Sequence, residues 1–278
     1  MPTYLSYDRT ELSYREEGAG LPVLVVPGGP ARDSAYLGAL GALATFLGRK
    51  LVVPDLRGTG ASQPDTDADS HRADRIAADV ATLVDHLRMA PLDVLAHSAG
   101  ANVAMFLAER RPDLVSRLVL VTPGTRLLAI GPGDAEWDTA LERRSEEPWY
   151  DEVRVALEAE EPTPEQELAS QALFYGRWDG AAQAHAASDG PQRNPEATRW
   201  FHEADYDAER SRTTLAGFHR PVRILLGELD PWPNVRAGEE LAAVFPDARV
   251  TQLPGAGHFP WLDDPAQYAV AVREALGS

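Results

Sequence analysis

The chain contains no cysteine in 278 residues, which excludes a disulfide framework, a thiol nucleophile and a cysteine-ligated metal. Positive charge is scarce as well. Lys50 is the sole lysine, and 26 Lys plus Arg stand against 43 Asp plus Glu, a net charge of -17 that would be repelled by nucleic acid and by anionic membranes. No apolar run approaches the roughly 18 residues of a membrane span. Met1 to Leu5 lacks the basic and apolar regions of a secretory leader, so a cytoplasmic protein is expected. Asp55-Leu56-Arg57-Gly58-Thr59-Gly60 has neither the length and lysine of a phosphate loop nor the glycine spacing of a dinucleotide site. It reads as a turn in which Arg57 pairs with a carboxylate. No spacing of His, Asp and Glu suggests a metal, and no cofactor is expected.

What is present alternates. Thr3 to Tyr7 and Leu12 to Glu16 have the pattern of an antiparallel hairpin, and strands then recur near Val23, Leu51, Leu92 and Leu118. Between them lie helical stretches at Ser34 to Leu47, Asp74 to Met89 and Ala99 to Arg110. Right-handed crossovers turn such a series into a mostly parallel sheet with helices on both faces, an α/β fold. Strand signals stop after Pro123-Gly124 and resume at Val222. The expected organisation is therefore a core over 1–125, an inserted helical lid over 126–215, and a second core part over 216–278.

Three short stretches then supply chemistry. Leu92 to Ala96 reads as a buried strand and Ala99 to Arg110 as a helix, which leaves a sharp turn at Ala96-His97-Ser98-Ala99-Gly100. Such a turn strains the serine and brings strand and helix so close that only Ala or Gly fits two residues to either side. Val222 to Gly227 is a strand with Asp230 on the loop at its carboxyl end, where open α/β sheets place working residues. Glu228 is the competing acid. Arg249 to Leu253 is a further strand, followed by Gly255-Ala256-Gly257-His258, and His258 alone among seven histidines sits on such a loop. His97, His71, His86, His185, His202 and His219 are expected to be packed or solvated. Nucleophile, acid and base in that chain order differ from the chymotrypsin and subtilisin orders.

An oxyanion requires two fixed N–H donors. Ala99, after the nucleophile and at the start of its helix, supplies one. Pro27 and Pro30 have no N–H, so Gly29 is the second, with Gly28 giving backbone freedom. The expected chemistry is acyl transfer to Ser98 with His258 as general base and Asp230 holding the imidazolium, followed by hydrolysis of the acyl-enzyme.

On these residues the chain resembles the α/β-hydrolase superfamily, and within it is most similar to the proline iminopeptidase-like branch. Pro27-Gly28-Gly29-Pro30 resembles the family's His-Gly-Gly-Pro loop, Asp55 to Ser62 its Asp-x-Arg-Gly-x-Gly-x-Ser segment, and Gly257-His258-Phe259-Pro260 its histidine loop. Two positions depart. Pro27 stands where the family has a histidine that braces the oxyanion loop, and the elbow lacks the Gly-Gly-Ser-Trp-Gly of true iminopeptidases. A serine at position 98 also differs from the carboxylate that haloalkane dehalogenases and epoxide hydrolases need there.

The substrate should be read in the lid. Trp137, Trp149, Tyr150, Phe174, Tyr175, Trp178, Trp200, Phe201 and Tyr206 suit a pocket for an apolar or cyclic group. The same segment holds 20 acids against 9 arginines, a field that would favour a cationic substrate. The resemblance implies a lid glutamate that binds a free amine, and Glu203 is the candidate. Trp178, Trp200 and Phe259 are the other expected substrate contacts. The favoured reading is a serine hydrolase of a small ester, lactone or other acyl substrate. An iminopeptidase, a carbon–carbon bond hydrolase or specialised biosynthetic enzyme, and a non-catalytic ligand-binding member of the fold are the alternatives.

Overall fold

The computed structural model describes residues 1–63, 67–133 and 135–277. The chain opens with strands β1 (Thr3–Leu5), β2 (Glu11–Gly18) and β3 (Leu21–Val26). Helix α1 (Gly41–Leu47), β4 (Arg49–Pro54), α2 (Ala73–Leu87), β5 (Leu92–His97), α3 (Gly100–Arg110) and β6 (Val115–Val121) follow. They build one eight-stranded sheet in the order β1-β2-β4-β3-β5-β6, completed by two later strands, β7 (Val222–Gly227) and β8 (Ala248–Leu253). Only the β1–β2 and β2–β4 pairings are antiparallel; the rest are parallel.

Both faces of this sheet are covered, which is why its central strands are unbroken apolar runs and not alternating ones. Leu24 and Val26 pack with α2 and α3 on one side, while Val23 and Val25 pack with α1 and the C-terminal helix on the other. The helix expected from Ser34 to Leu47 is in fact two pieces. A single 3-10 turn over Ser34–Leu37 ends at Gly38, whose φ of +71° leaves helical space, and α1 starts afresh at Gly41. Helix α2 stops at Leu87 because Arg88 adopts a left-handed φ of +54°.

Between β6 and β7 lie only helices: α4 (Glu136–Glu142), α5 (Tyr150–Glu158), α6 (Pro164–Ser170), α7 (Gly180–Ala187), α8 (Asp189–Gln192), α9 (Pro195–Phe201) and α10 (Ala208–Leu215), with two 3-10 turns among the described residues. Helix α11 (Val235–Ala242) joins β7 to β8, and α12 (Pro260–Asp263) with α13 (Pro265–Leu276) closes the chain. Among the described residues no helix is long and apolar enough to cross a membrane.

Arg57 lies just past the end of β4, 1% exposed, and holds its neighbours together. It donates to Asp79 at 2.6 and 3.0 Å and to Asp8 at 2.8 Å, a buried charge compensated on two sides. Asp55 accepts from Ser34 Oγ and from the Ala61 N–H. The Asp55 to Ser62 segment is thus a tied-down turn.

Candidate functional site

Ser98 sits at the tip of the turn from β5 into α3 with a φ of +50°, a region that L side chains avoid. Three bonds hold it there. Its N–H donates to Val121 O at 3.0 Å, and its carbonyl accepts from Ala101 at 2.9 Å and from Gly124 at 2.7 Å. The closeness that this turn enforces is visible at Gly100, where a Cβ would stand 2.4 Å from Pro27 O. Strand β5 is thereby held against the loop after β3, and Ser98 projects where the two meet.

The loop after β8 brings His258 to Ser98. A Cβ on Gly257 would lie 2.4 Å from Phe174 O, so only glycine lets this loop pass beneath the insertion. His258 Nε2 is 2.9 Å from Ser98 Oγ and its Nδ1 is 2.7 Å from Asp230 Oδ2. Asp230, with a fully buried carboxylate, also accepts from the Trp232 N–H at 3.0 Å. Burial pushes this carboxyl above the ordinary range, with His258 and the Trp232 N–H opposing that shift. Glu228 is turned away to accept from the Gly255 N–H at 2.8 Å, a turn-stabilising role.

The loop carrying Gly28 and Gly29 faces Ser98. Gly29 has a φ of +126°, and a Cβ there would lie 2.6 Å from the Arg32 nitrogen. No hydrogen bond among the described residues uses the N–H of Gly29 or of Ala99. What braces this loop in the absence of a histidine at position 27 is Tyr36. Its hydroxyl accepts from the Gly28 N–H at 2.7 Å and lies 2.7 Å from His97 Nδ1, while His97 Nε2 is 2.9 Å from His258 O. Only one proton arrangement satisfies all three contacts: the phenol donates to Nδ1 and Nε2–H donates to the carbonyl. Burial holds His97 well below the usual histidine range, so it stays neutral. Thr122 Oγ1 donates to the same His258 carbonyl at 3.0 Å.

Ser98, His258, Gly29, Tyr36 and His97 line a cavity of about 200 Å³, smaller than the roughly 300–1,000 Å³ of sites for drug-sized ligands. Phe174, Tyr175, Ala186 and Phe259 give its apolar wall, and Arg32, Asp189 and Arg193 its charged one. Of the four residues expected to contact substrate, only Phe259 lines it. Trp178 faces a separate surface depression with Trp149 and Gln183. Trp200 lies half-buried beneath Arg199, whose guanidinium is 5.3 Å from the ring. Glu203 is exposed, because Ala197 and Phe201 of α9 and Ala204 just beyond it turn into the core and leave the residue between them facing water.

Of the aromatics in the insertion, Phe174 and Tyr175 reach the cavity, whereas Phe201 packs in the main core and Trp137 and Tyr150 surround a satellite core. The acids of the insertion are mostly outside it as well. Among the described residues Asp189 is the one acid that lines the cavity, against two arginines, which reverses the charge expected from the segment's total. Arg32 and Tyr36 gave no warning in the sequence, and Asp189 with Arg193 shows only the spacing of an ordinary helical ion pair. Among the described residues no group of three or more His, Asp or Glu could hold a metal ion.

This sheet order, its helical insertion and the loops gathered at the carboxyl ends of its strands define an α/β hydrolase. A family model for the alpha/beta hydrolase fold matches residues 22–265, and the chain belongs to that family. It is similar to the pimeloyl-(acyl-carrier protein) methyl ester esterase of Chromobacterium violaceum, 30% identical over 266 residues that cover 93% of this chain and 95% of that one. It is also similar to haloalkane dehalogenase 2 of Mycobacterium tuberculosis, 27% identical over 281 residues, with 97% and 92% covered. Among solved structures, a hydrolase from Pseudomonas aeruginosa superposes with a TM-score of 0.72 at 24% identity, over 100% of this chain and 98% of that one. The protein is a hydrolase of this family.

Proposed function

We propose that the protein hydrolyses a small carboxylic ester or related acyl compound through a covalent intermediate on Ser98. The observation that carries this reading is the unbroken chain Ser98 Oγ–His258–Asp230 on the wall of a small cavity. His258 Nε2 removes the Ser98 proton as Oγ attacks the carbonyl, and Asp230 fixes the ring so that Nε2 faces the serine. The tetrahedral oxyanion takes the two uncommitted N–H groups, Gly29 and Ala99. His258 then passes its proton to the leaving group, and later activates the water that releases the acid and restores Ser98.

The esterase among the relatives supports an ester over other acyl bonds. A serine in place of a carboxylate nucleophile separates this chain from dehalogenase chemistry. The iminopeptidase reading requires a carboxylate for the substrate's amine. Glu203 does not line the cavity, and Asp189 is already bound by Arg193 and Arg32. The test is covalent labelling by a fluorophosphonate read by intact mass, alongside hydrolysis of a short-chain aryl ester and of an unblocked prolyl arylamide. A single adduct absent from Ser98→Ala, with ester turnover lost by roughly 10³-fold or more in that variant, is expected. Turnover retained in Ser98→Ala refutes the mechanism, and serine-dependent cleavage of the arylamide restores the peptidase.

A further inference from the structure

Arg32 is 3% exposed and lies on the loop that carries Gly29. Its Nε donates to Gln192 Oε1 at 2.9 Å, and its Nη2 donates to His185 O and Ser188 Oγ, both at 3.0 Å. Nη1 remains, and its recorded partner is Asp189 Oδ1 at 3.1 Å. That carboxylate is already engaged at both oxygens by Arg193, at 2.6 and 2.8 Å. Two guanidinium groups therefore share one acid on the wall of the Ser98 cavity. Arg32, Arg193 and Asp189 are its only permanently charged lining residues among those described, so the wall carries a surplus of one positive charge.

A surplus charge buried this deeply is costly unless a partner arrives. It is also placed against the sign of the whole molecule, which is -17. Its location relative to the serine is fixed by Tyr36, whose ring lies 4.8 Å below the Arg32 guanidinium and whose hydroxyl reaches His97, the residue before Ser98. Backbone pairing of Arg32 with Arg193 keeps both arginines at this one junction.

We propose that this wall binds a carboxylate of the substrate, so that the enzyme acts on short acyl compounds bearing a second, ionised acid group, such as the half-ester of a dicarboxylic acid. The carboxylate docks on Arg32 Nη1 and Arg193, and the apolar spacer lies against Phe174, Tyr175 and Phe259. The scissile carbonyl is left at Ser98. This inference rests on the Ser98 hydrolase reading given above.

The test measures the rate of fluorophosphonate labelling of Ser98 in the presence of glutarate, of glutaramide and of prolinamide. Glutarate is expected to protect at a concentration about tenfold or more below that of glutaramide, the worth of one charge-assisted contact, and prolinamide not to protect. Adding salt should weaken the glutarate effect alone. Asp189→Asn, which releases both arginines, should lower the glutarate concentration for half-protection, and Arg32→Gln should raise it. Should Arg32→Gln fail to fold, the Asp189→Asn comparison and the salt series decide the matter. Equal protection by glutarate and glutaramide, or stronger protection by prolinamide, overturns the carboxylate site while leaving the serine chemistry intact. Absence of any Ser98 adduct when the probe is added without a competitor overturns the hydrolase reading and the site that rests on it.

Discussion

Replacing Tyr36 by phenylalanine removes one oxygen and nothing else, yet that oxygen ties the Gly28-Gly29 loop to His97 and, through His97, to the loop of His258. It is buried, 3% exposed as a residue, and touches the Gly28 N–H and His97 Nδ1 at 2.7 Å each. His97 cannot compensate by shifting its proton, since Nε2–H is needed by His258 O at 2.9 Å. Two buried polar atoms lose their partner, at about 1–3 kcal/mol each, so a loss of about 2–6 kcal/mol is expected. For a chain of this size that lowers Tm by about 4–10 °C. The slackened Gly28-Gly29 segment should also lower kcat for an aryl ester by about tenfold or more, because small misplacements in a reacting site are severe. Calorimetry and steady-state kinetics at pH 7 measure the two effects. A Tm within about 1 °C of the parent together with unchanged kcat would refute the brace.

Asp230→Asn keeps the shape of the buried partner but favours the wrong imidazole tautomer, and kcat should fall by about 10⁴-fold with the fold retained, the size of loss seen when serine proteases undergo the same change. Gly100→Ala puts a methyl 2.4 Å from Pro27 O and should cost at least about 1–3 kcal/mol, read as a lowered denaturant midpoint. Burial and the nearby Arg32 push His185 down to about 4, and burial lowers His97 and His202 as well. Their folded pKa values lie below the unfolded value of about 6.5, so the unfolded chain binds the extra protons as pH falls. Stability should therefore be full above about pH 6.5 and drop toward pH 5, by up to about 1.4 kcal/mol per pH unit for the buried His97 and by less for His185 and His202, which solvent partly screens. Asp79, Asp230 and Asp263, raised by burial, oppose this only where they begin to protonate. Urea midpoints at pH 7.5 and 5.0 check the slope, and equal midpoints would contradict it.

The elements that carry Ser98, Asp230 and His258 were legible because each is written in a few consecutive residues. Strand, small-residue turn and helix at 92–110 admit little else, and the glycines before His258 mark where a loop must pass under another segment. The charged wall was not legible. Arg32 meets Asp189 and Arg193 across more than 150 residues, and nothing near Pro30 in the sequence indicates which part of the insertion will cover it. Trp200 and Glu203 stand off the cavity for a related reason: composition says that a helical segment is aromatic and acidic, but the pitch of α9 and the turn after it decide which residues meet the core. The break at Gly38 was likewise invisible in an apolar pattern that continues through it.

The strand-like pairing of Arg32 with Arg193 has company. Asp33 N–H donates to Gln192 O, Asn194 N–H to Ala31 O, and Arg193 and Thr198 side chains to Pro30 O. The helical insertion is therefore sewn, backbone to backbone, onto the same few residues that hold Gly29 in place. The insertion cannot lift away at that seam without dragging the Gly28-Gly29 loop with it. By the same logic, residues 189–198 behave as a part of the core that happens to be encoded in the insertion, and a chimaera that exchanges lids between members of this fold must leave them behind.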